Sequence, residues 1–170
     1  MIYPIVKLGD PVLEKPAEMV TVFDKELKQL IDDMFESMYA AHGVGLAAPQ
    51  IGIAKRIAVI DVTFKEDPDA KLVLINPEIV HMEGRQSQSE GCLSIPDFRE
   101  NVARAMRVTV RAQDVEGKWR EHTGEELLAR AFQHETDHLN GMLYIDRLDE
   151  AGRRDVMRQL REFEVQRSEP

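Results

Sequence analysis

The order of periodicities along the chain limits its architecture more than any single motif does. A helical pattern comes first, extended segments follow with no helix between them, and helical patterns close the chain. Leu27, Leu30, Ile31, Met34 and Met38 recur at helical spacing, which predicts a helix over about 24–41 with one buried stripe. Asp24 is placed to cap its start and Gly43 to stop it. The first twenty residues, punctuated by Pro4, Pro11 and Pro16, read as extended. A strand is expected over 56–63, and 71–82 reads as two extended segments divided by Asn76-Pro77. Residues 106–111 alternate as a half-buried strand should, and 114–118 contains Glu116-Gly117, a hairpin-turn signal. A second helix is expected over 125–140, with Gly141 as its C-terminal cap. A third, over about 150–166, carries Val156, Met157, Leu160 and Phe163 on its inner face. Strands without intervening helices argue against βαβ units. The pattern predicts one α+β domain over 1–170, with antiparallel or mixed sheets around the second helix and a C-terminal helix.

Composition narrows the function classes. The chain of 170 residues is long enough for a sizeable core. Its net charge of −9 argues against general binding of nucleic acid or anionic membrane. Cys92 is the single cysteine, so no disulfide within the chain is possible. The start, MIYPIVKLGDPVLEKP, has neither the pattern of a signal peptide nor that of a transit peptide. No apolar run is long enough to span a bilayer. A cytoplasmic protein is the expectation.

Residues 42–52 read HGVGLAAPQIG. Gly43-Val-Gly45-Leu-Ala-Ala48 fits the G-x-G-x-x-A form of a dinucleotide loop, with Asp61 downstream at about the expected distance. The context is reversed, however. That fingerprint needs a strand before the glycines and a helix after them, because the helix N-terminus holds the pyrophosphate. Here a helix precedes and a strand follows. The stretch reads as a glycine-rich helix-to-strand turn in which Pro49 keeps the chain extended before Gln50.

The strongest local motif is Gln133-His134-Glu135-Thr136-Asp137-His138, an H-E-x-x-H on a predicted helix. Positions i and i+4 share one helical face, so two imidazoles can converge on one ion. Glu135 lies about 100° round the helix, able to reach a water on that ion without ligating it. A catalytic site of this kind needs a third protein ligand and an open fourth position. Three sources are open. A continuation to H-x-x-G-x-x-H has Gly141 but meets Tyr144. A downstream glutamate would be Glu162 or Glu164. The third source is the thiol of Cys92, although a lone cysteine is more often a small buried apolar residue. A non-catalytic metal-stapled module needs four protein ligands, and His42, His81 and His122 sit in no matching pattern.

Three segments together resemble the peptide deformylase family: Gly43-Val-Gly-Leu-Ala-Ala-Pro-Gln50, Glu90-Gly-Cys-Leu-Ser94 and Gln133-His-Glu-Thr-Asp-His-Leu139. The likeness runs from Leu8-Gly-Asp-Pro11 to the last helix, and its retained C-terminal helix is similar to the common bacterial branch. The resemblance implies that Cys92, His134 and His138 bind one divalent metal ion. That ion is usually Fe(2+), with Zn(2+), Ni(2+) or Co(2+) also acceptable to this donor set. It implies removal of the formyl group from N-formylmethionine of new polypeptides. The expected mechanism is attack by an ion-activated water, with Glu135 as general acid/base and the Leu93 N–H and Gln50 amide stabilising the oxyanion. The substrate would lie as an added strand against Val44, Gly45 and Gly91. Leu127 would line the methionine pocket and Arg99 would also contact substrate. Gln88, Arg130 and Ala131 depart from the more apolar residues of many relatives there. Glu90 and Asp137 are candidates for orienting a ligand histidine or pairing with an arginine. Arg154, Arg158 and Arg161 resemble a ribosome-docking face, although the interspersed Asp155, Glu162 and Glu164 favour a solvated, acid-paired one. A monomer is expected, and a general H-E-x-x-H metallopeptidase with a glutamate ligand is the alternative.

Overall fold

The computed structural model describes residues 1–168, with the backbone alone at Asp97, Leu160 and 162–168. It is an α+β domain whose strands all pair antiparallel. Three helices, α1 (Lys25–Ala40), α2 (Glu126–Leu139) and α3 (Glu150–Ser168), accompany seven strands. These are β1 (Gly45–Ala47), β2 (Ile57–Ile60), β3 (Leu72–Glu83), β4 (Gln86–Cys92), β5 (Ile95–Arg104), β6 (Arg107–Gln113) and β7 (Trp119–Glu125). Five strands form one sheet in the order β1-β2-β3-β6-β7, and β4-β5 form a separate hairpin.

Helices cover both faces of the five-stranded sheet, and the sequence of β2 follows from that. Ile57 and Val59 join Leu27, Ile31, Met34, Phe35 and Met38 of α1 in one cluster. Ala58 and Ile60 join Ala129, Phe132 and Leu139 of α2 in another. A strand buried on both faces reads as an unbroken apolar run, and all four residues of β2 are buried. A third cluster joins the hairpin to the C-terminal region through Ile95, Val102, Leu143, Tyr144, Ile145 and Val156.

Several expectations meet corrections. Asp24 caps α1 by accepting from the Leu27 N–H at 3.0 Å. The left-handed residue ending that helix is His42 (φ 58°), not Gly43. Residues 72–83 form one strand, not two. Asn76 adopts φ 51° at a bulge against β6, where its amide bonds both backbone groups of Val20 at 2.9 Å and the Gln113 side chain at 2.7 Å. The predicted strand over 56–63 is shorter and ends at Ile60, before Asp61. The extended N-terminal segment includes a 3-10 turn, Pro11–Glu14. Pro49 does not keep the chain extended, because Ala48–Ile51 is a 3-10 turn closed by Gly52 at φ 82°. Proline's fixed φ suits the first turn of a helix as well as an extended chain. On α3, Val156 is buried but Met157 is 36% exposed, while Leu160 and Phe163 lie outside the described side chains. Among the described residues no helix is long and apolar enough to cross a membrane.

Candidate active site

Helix α2 is buried on its polar side as well as its apolar one. Arg130, Gln133, Glu135, Thr136, Asp137 and His138 are all buried, because the β4-β5 hairpin and the cleft wall cover what the sheet does not. Polar groups so placed must find partners or be held for chemistry.

The imidazoles of His134 and His138 converge as the i, i+4 spacing requires, with their Nε2 atoms 3.1 Å apart. The thiol of Cys92, at the end of β4, stands 3.4 Å from His138 Nε2. The three ligand atoms lie within 4.8 Å of one another. Among the described side chains, the thiol is the third donor that the fold brings to the histidines. The hydroxyl of Tyr144 instead bonds the Phe98 carbonyl at 3.4 Å, and Glu162 and Glu164 lie outside the described side chains. His81 faces Glu83 on the surface at 3.4 Å.

A chain of ion pairs orients this triad. Glu90 receives a hydrogen bond from His134 Nδ1, which aims His134 Nε2 at the other donors. Arg104 clamps Glu90 through Nη2 at 2.6 Å and Nε at 3.2 Å, and Arg130 Nη2 adds a contact at 3.2 Å. The other arm of Arg104 holds Asp137 at 2.6 Å. Arg147 holds Asp137 too, at 2.6 and 3.0 Å. Burial raises the pKa of Glu90, but the bonds from His134 and Arg104 outweigh it and bring it down to about 2. Burial lowers both histidines. The carboxylate of Glu135 and contacts with Cys92 and Glu90 reverse this for His134, which is raised well above its usual value. His138, with His134 and Arg104 beside it, is pushed well below.

Arg104 and Arg147 were not among the candidates from sequence. The usable signal is an arginine set among apolar neighbours, Val102-Ala103-Arg104-Ala105, in a chain with one acid beside Cys92 (Glu90) and another inside the H-E-x-x-H motif (Asp137). Glu90 and Asp137, both candidates, sit at the two ends of Arg104.

Glu135 is buried, and its Oε1 has no hydrogen-bond partner. Burial raises its pKa to about 7; Glu90 and Asp137 add to the rise, while His134 and Arg104 oppose it. A bound cation would draw it down again. Gln50 is 1% exposed. Its Oε1 accepts from the Ala47 N–H at 3.0 Å, which turns Nε2 toward Ser94 Oγ at 3.3 Å and Cys92 Sγ at 3.6 Å. Leu93 follows Cys92 in the turn between β4 and β5, packed over Gly43.

These residues face a cleft of about 780 Å3 whose lining includes Val44, Gly45, Gly91, Leu127, Arg99, Arg130 and Ala131. Gln88 is exposed and takes no part in that lining. Arg99 is tied to Ser89 through Nε at 3.0 Å and Nη2 at 3.1 Å. Both glycines expected to admit a substrate backbone make room first for side chains of the protein. A Cβ on Gly91 would stand 2.9 Å from Arg99 Nη1, and one on Gly45 would press on Glu135.

The chain matches the family model for polypeptide deformylase over residues 2–154. It is 63% identical over 164 residues to a peptide deformylase of Acidobacterium capsulatum, covering 96% of each chain. To that of Heliobacterium modesticaldum it is 53% identical, covering 87% of this chain and 95% of the other. Among solved structures, a peptide deformylase from Legionella pneumophila superposes with a TM-score of 0.90 at 46% identity over 100% of both chains. One from Synechococcus elongatus in complex with actinonin gives 0.87 at 42% identity, covering 92% of this chain and 86% of that one.

Proposed function

Because the chain belongs to the peptide deformylase family, we propose that it removes the formyl group from N-terminal formylmethionine of newly made polypeptides, using one divalent metal ion. The observation that carries this reading is the convergence of Cys92, His134 and His138 beside a buried, partnerless carboxylate oxygen of Glu135. A thiolate and two imidazoles suit ferrous iron, zinc, nickel or cobalt, and we assign ferrous iron in the cell. Three protein donors are the number a catalytic rather than a structural site carries. When bound, the ion supplies the Lewis acidity that brings the pKa of a water from about 15.7 toward neutrality.

Glu135 would take a proton from the attacking water as its oxygen bonds to the formyl carbon, and would pass that proton to the departing amine. As the C–N bond of the formamide breaks, formate and a free N-terminus are released. The formyl oxygen gains charge on the way. Gln50 is the donor preset for it, since its own oxygen is fixed by Ala47 and only its N–H groups face the centre. The Leu93 N–H, moving with Cys92, is the second. The substrate lies extended along Val44, Gly45 and Gly91, with its methionine side chain toward Leu127 and Ala131, and with Arg99 on the opposing wall.

The same reading includes nascent formylmethionine chains as substrates, a cytoplasmic monomer and transient ribosome contact through α3. On that helix Arg154 pairs with Glu150, and Arg158 with Asp155 at 2.6 Å, so docking would have to compete with these pairs. A general metallopeptidase with a glutamate ligand is not favoured, because a thiol occupies the third corner of the triad.

The test is an anaerobic preparation of known metal content, offered a formyl-Met peptide and its unformylated, internally cleavable counterpart. Formate release from the first alone is expected, with Glu135→Gln keeping its ion and losing about 10²–10⁴ in rate. Internal cleavage of the second peptide, or full metal retention by Cys92→Ala, would overturn the reading.

A further inference from the structure

A second groove, of about 490 Å3, opens between α2, the β4-β5 hairpin and the end of β3. It shares no lining residue with the cleft of the triad. Helix α2 sends Gln133 and Asp137, one turn apart, to the groove, and His134 and Glu135 to the cleft. The hairpin divides in the same way. Residues 89–92 line the cleft, while Ala103, Arg104 and Ala105 line the groove.

The walls of the groove are of two kinds. Ile79, Met82, Ala103 and Ala105 supply an apolar side, and Met82 is 52% exposed there. An exposed methionine at such a rim is an adaptable apolar contact. The polar side is cationic. Arg85 is exposed, and its side chain has no ion pair among the described residues. Arg147 gives Asp137 one edge of its guanidinium, through Nε and Nη2. Its Nη1 takes no part in that pair, and the side chain is 44% exposed.

The acids of the lining are already engaged. Asp137 lies between Arg104 and Arg147, and Glu83 faces Arg107 and His81, each at 3.4 Å. Arg104 in turn is taken up by Glu90 and Asp137. What remains is Arg85 and the free edge of Arg147, which together suit one negative charge. A planar carboxylate matches a guanidinium edge. Apolar walls with a few polar groups to fix orientation, at this volume, are the form that small-molecule sites take.

We propose that this groove binds a small monoanionic amphiphile, a carboxylate on a short apolar chain. Its head lies at Arg85 and Arg147, and its chain lies along Ile79, Met82 and Ala103. The inference does not depend on the formyl-peptide reading.

The experiment titrates octanoate into the metal-loaded full chain by calorimetry at neutral pH, beside acetate and 1-octanol. Octanoate is expected to saturate one site with a Kd of about 0.1–1 mM, ordinary for a ligand of about ten heavy atoms. Acetate lacks the chain and 1-octanol lacks the charge, and each should bind at least about tenfold more weakly. A carboxylate also has access to the metal site, so two variants locate the binding. Arg85→Gln removes an exposed, unpaired charge and should weaken octanoate about tenfold, with the melting temperature unchanged. Ala103→Phe, at an exposed position of β5, fills the groove and should abolish the binding. The proposal is overturned by no saturable binding to the parent, by equal binding of 1-octanol, or by an octanoate affinity that either variant leaves unchanged.

Discussion

A Cβ atom on Gly45 would stand 2.6 Å from Oε2 of Glu135. The glycine of the cleft wall and the carboxylate of the metal helix occupy one space, although 90 residues separate them in sequence. Gly45→Ala should displace the buried carboxylate without touching the triad. We expect turnover to fall by about 10²–10⁴, the worth of a general acid/base, with metal content retained. Kinetics alongside metal analysis decide it; normal turnover would mean that Glu135 works from another rotamer.

Gln50→Leu removes the amide held by Ala47 and keeps the bulk of the side chain. Loss of one preset oxyanion donor costs about 10²–10³ in rate. The expected signature is a fall in kcat with bound metal unchanged. If turnover survives, Gln50 serves only the 3-10 turn whose start it bonds.

Arg104 spans Glu90 and Asp137 with its side chain 2% exposed. Arg104→Met would leave two buried carboxylates short of a partner. About 3–5 kcal/mol of stability should be lost, visible in urea unfolding. Metal affinity should weaken about 10–100-fold, because Glu90 is what orients His134. Unchanged affinity in a competition titration would show that His134 needs no such support.

Legibility in the sequence followed the kind of force involved. Helix α1 and strand β6 were readable because each buries apolar residues at its own period, and Asp24 is a local cap. The H-E-x-x-H spacing showed which side chains of α2 converge. The β4-β5 hairpin left no such trace, because Gln86-Ser-Gln-Ser-Glu-Gly covers polar groups of α2 and carries no apolar alternation. Arg104 and Arg147 were hidden for a related reason. Their partners are set by tertiary contact, and nothing local distinguishes a buried arginine from a solvated one. Pro49 misled because one φ value serves both an extended chain and a 3-10 turn.

Thr136 lies between Glu135 and Asp137, buried, and its Oγ1 has no hydrogen-bond partner. A buried hydroxyl with no protein partner is a cost that valine of the same shape avoids. Thr136→Val should gain up to about 1 kcal/mol and raise the melting temperature by about 2–4 °C. A lower melting temperature would mean that the hydroxyl is satisfied in solution.

Asp61 is fully buried, and its pKa is lowered to about 2. Burial pushes it up, but the hydrogen bonds from Tyr39, Thr63 and the Lys65 N–H prevail. The ordinary value in an unfolded chain is about 3.9. Folding therefore favours the charged form, and the stabilisation is fully present above that value. It is lost as pH falls from about 4 through about 2, where both states become protonated. Asp61→Asn replaces one acceptor oxygen by a donor facing other donors, and at pH 7 it should cost about 2–3 kcal/mol. Urea unfolding of parent and variant at pH 7, 4 and 2.5 reads the difference, which should narrow steadily on acidification. A gap of constant size would place the stabilisation in the shape of the turn and not in its charge.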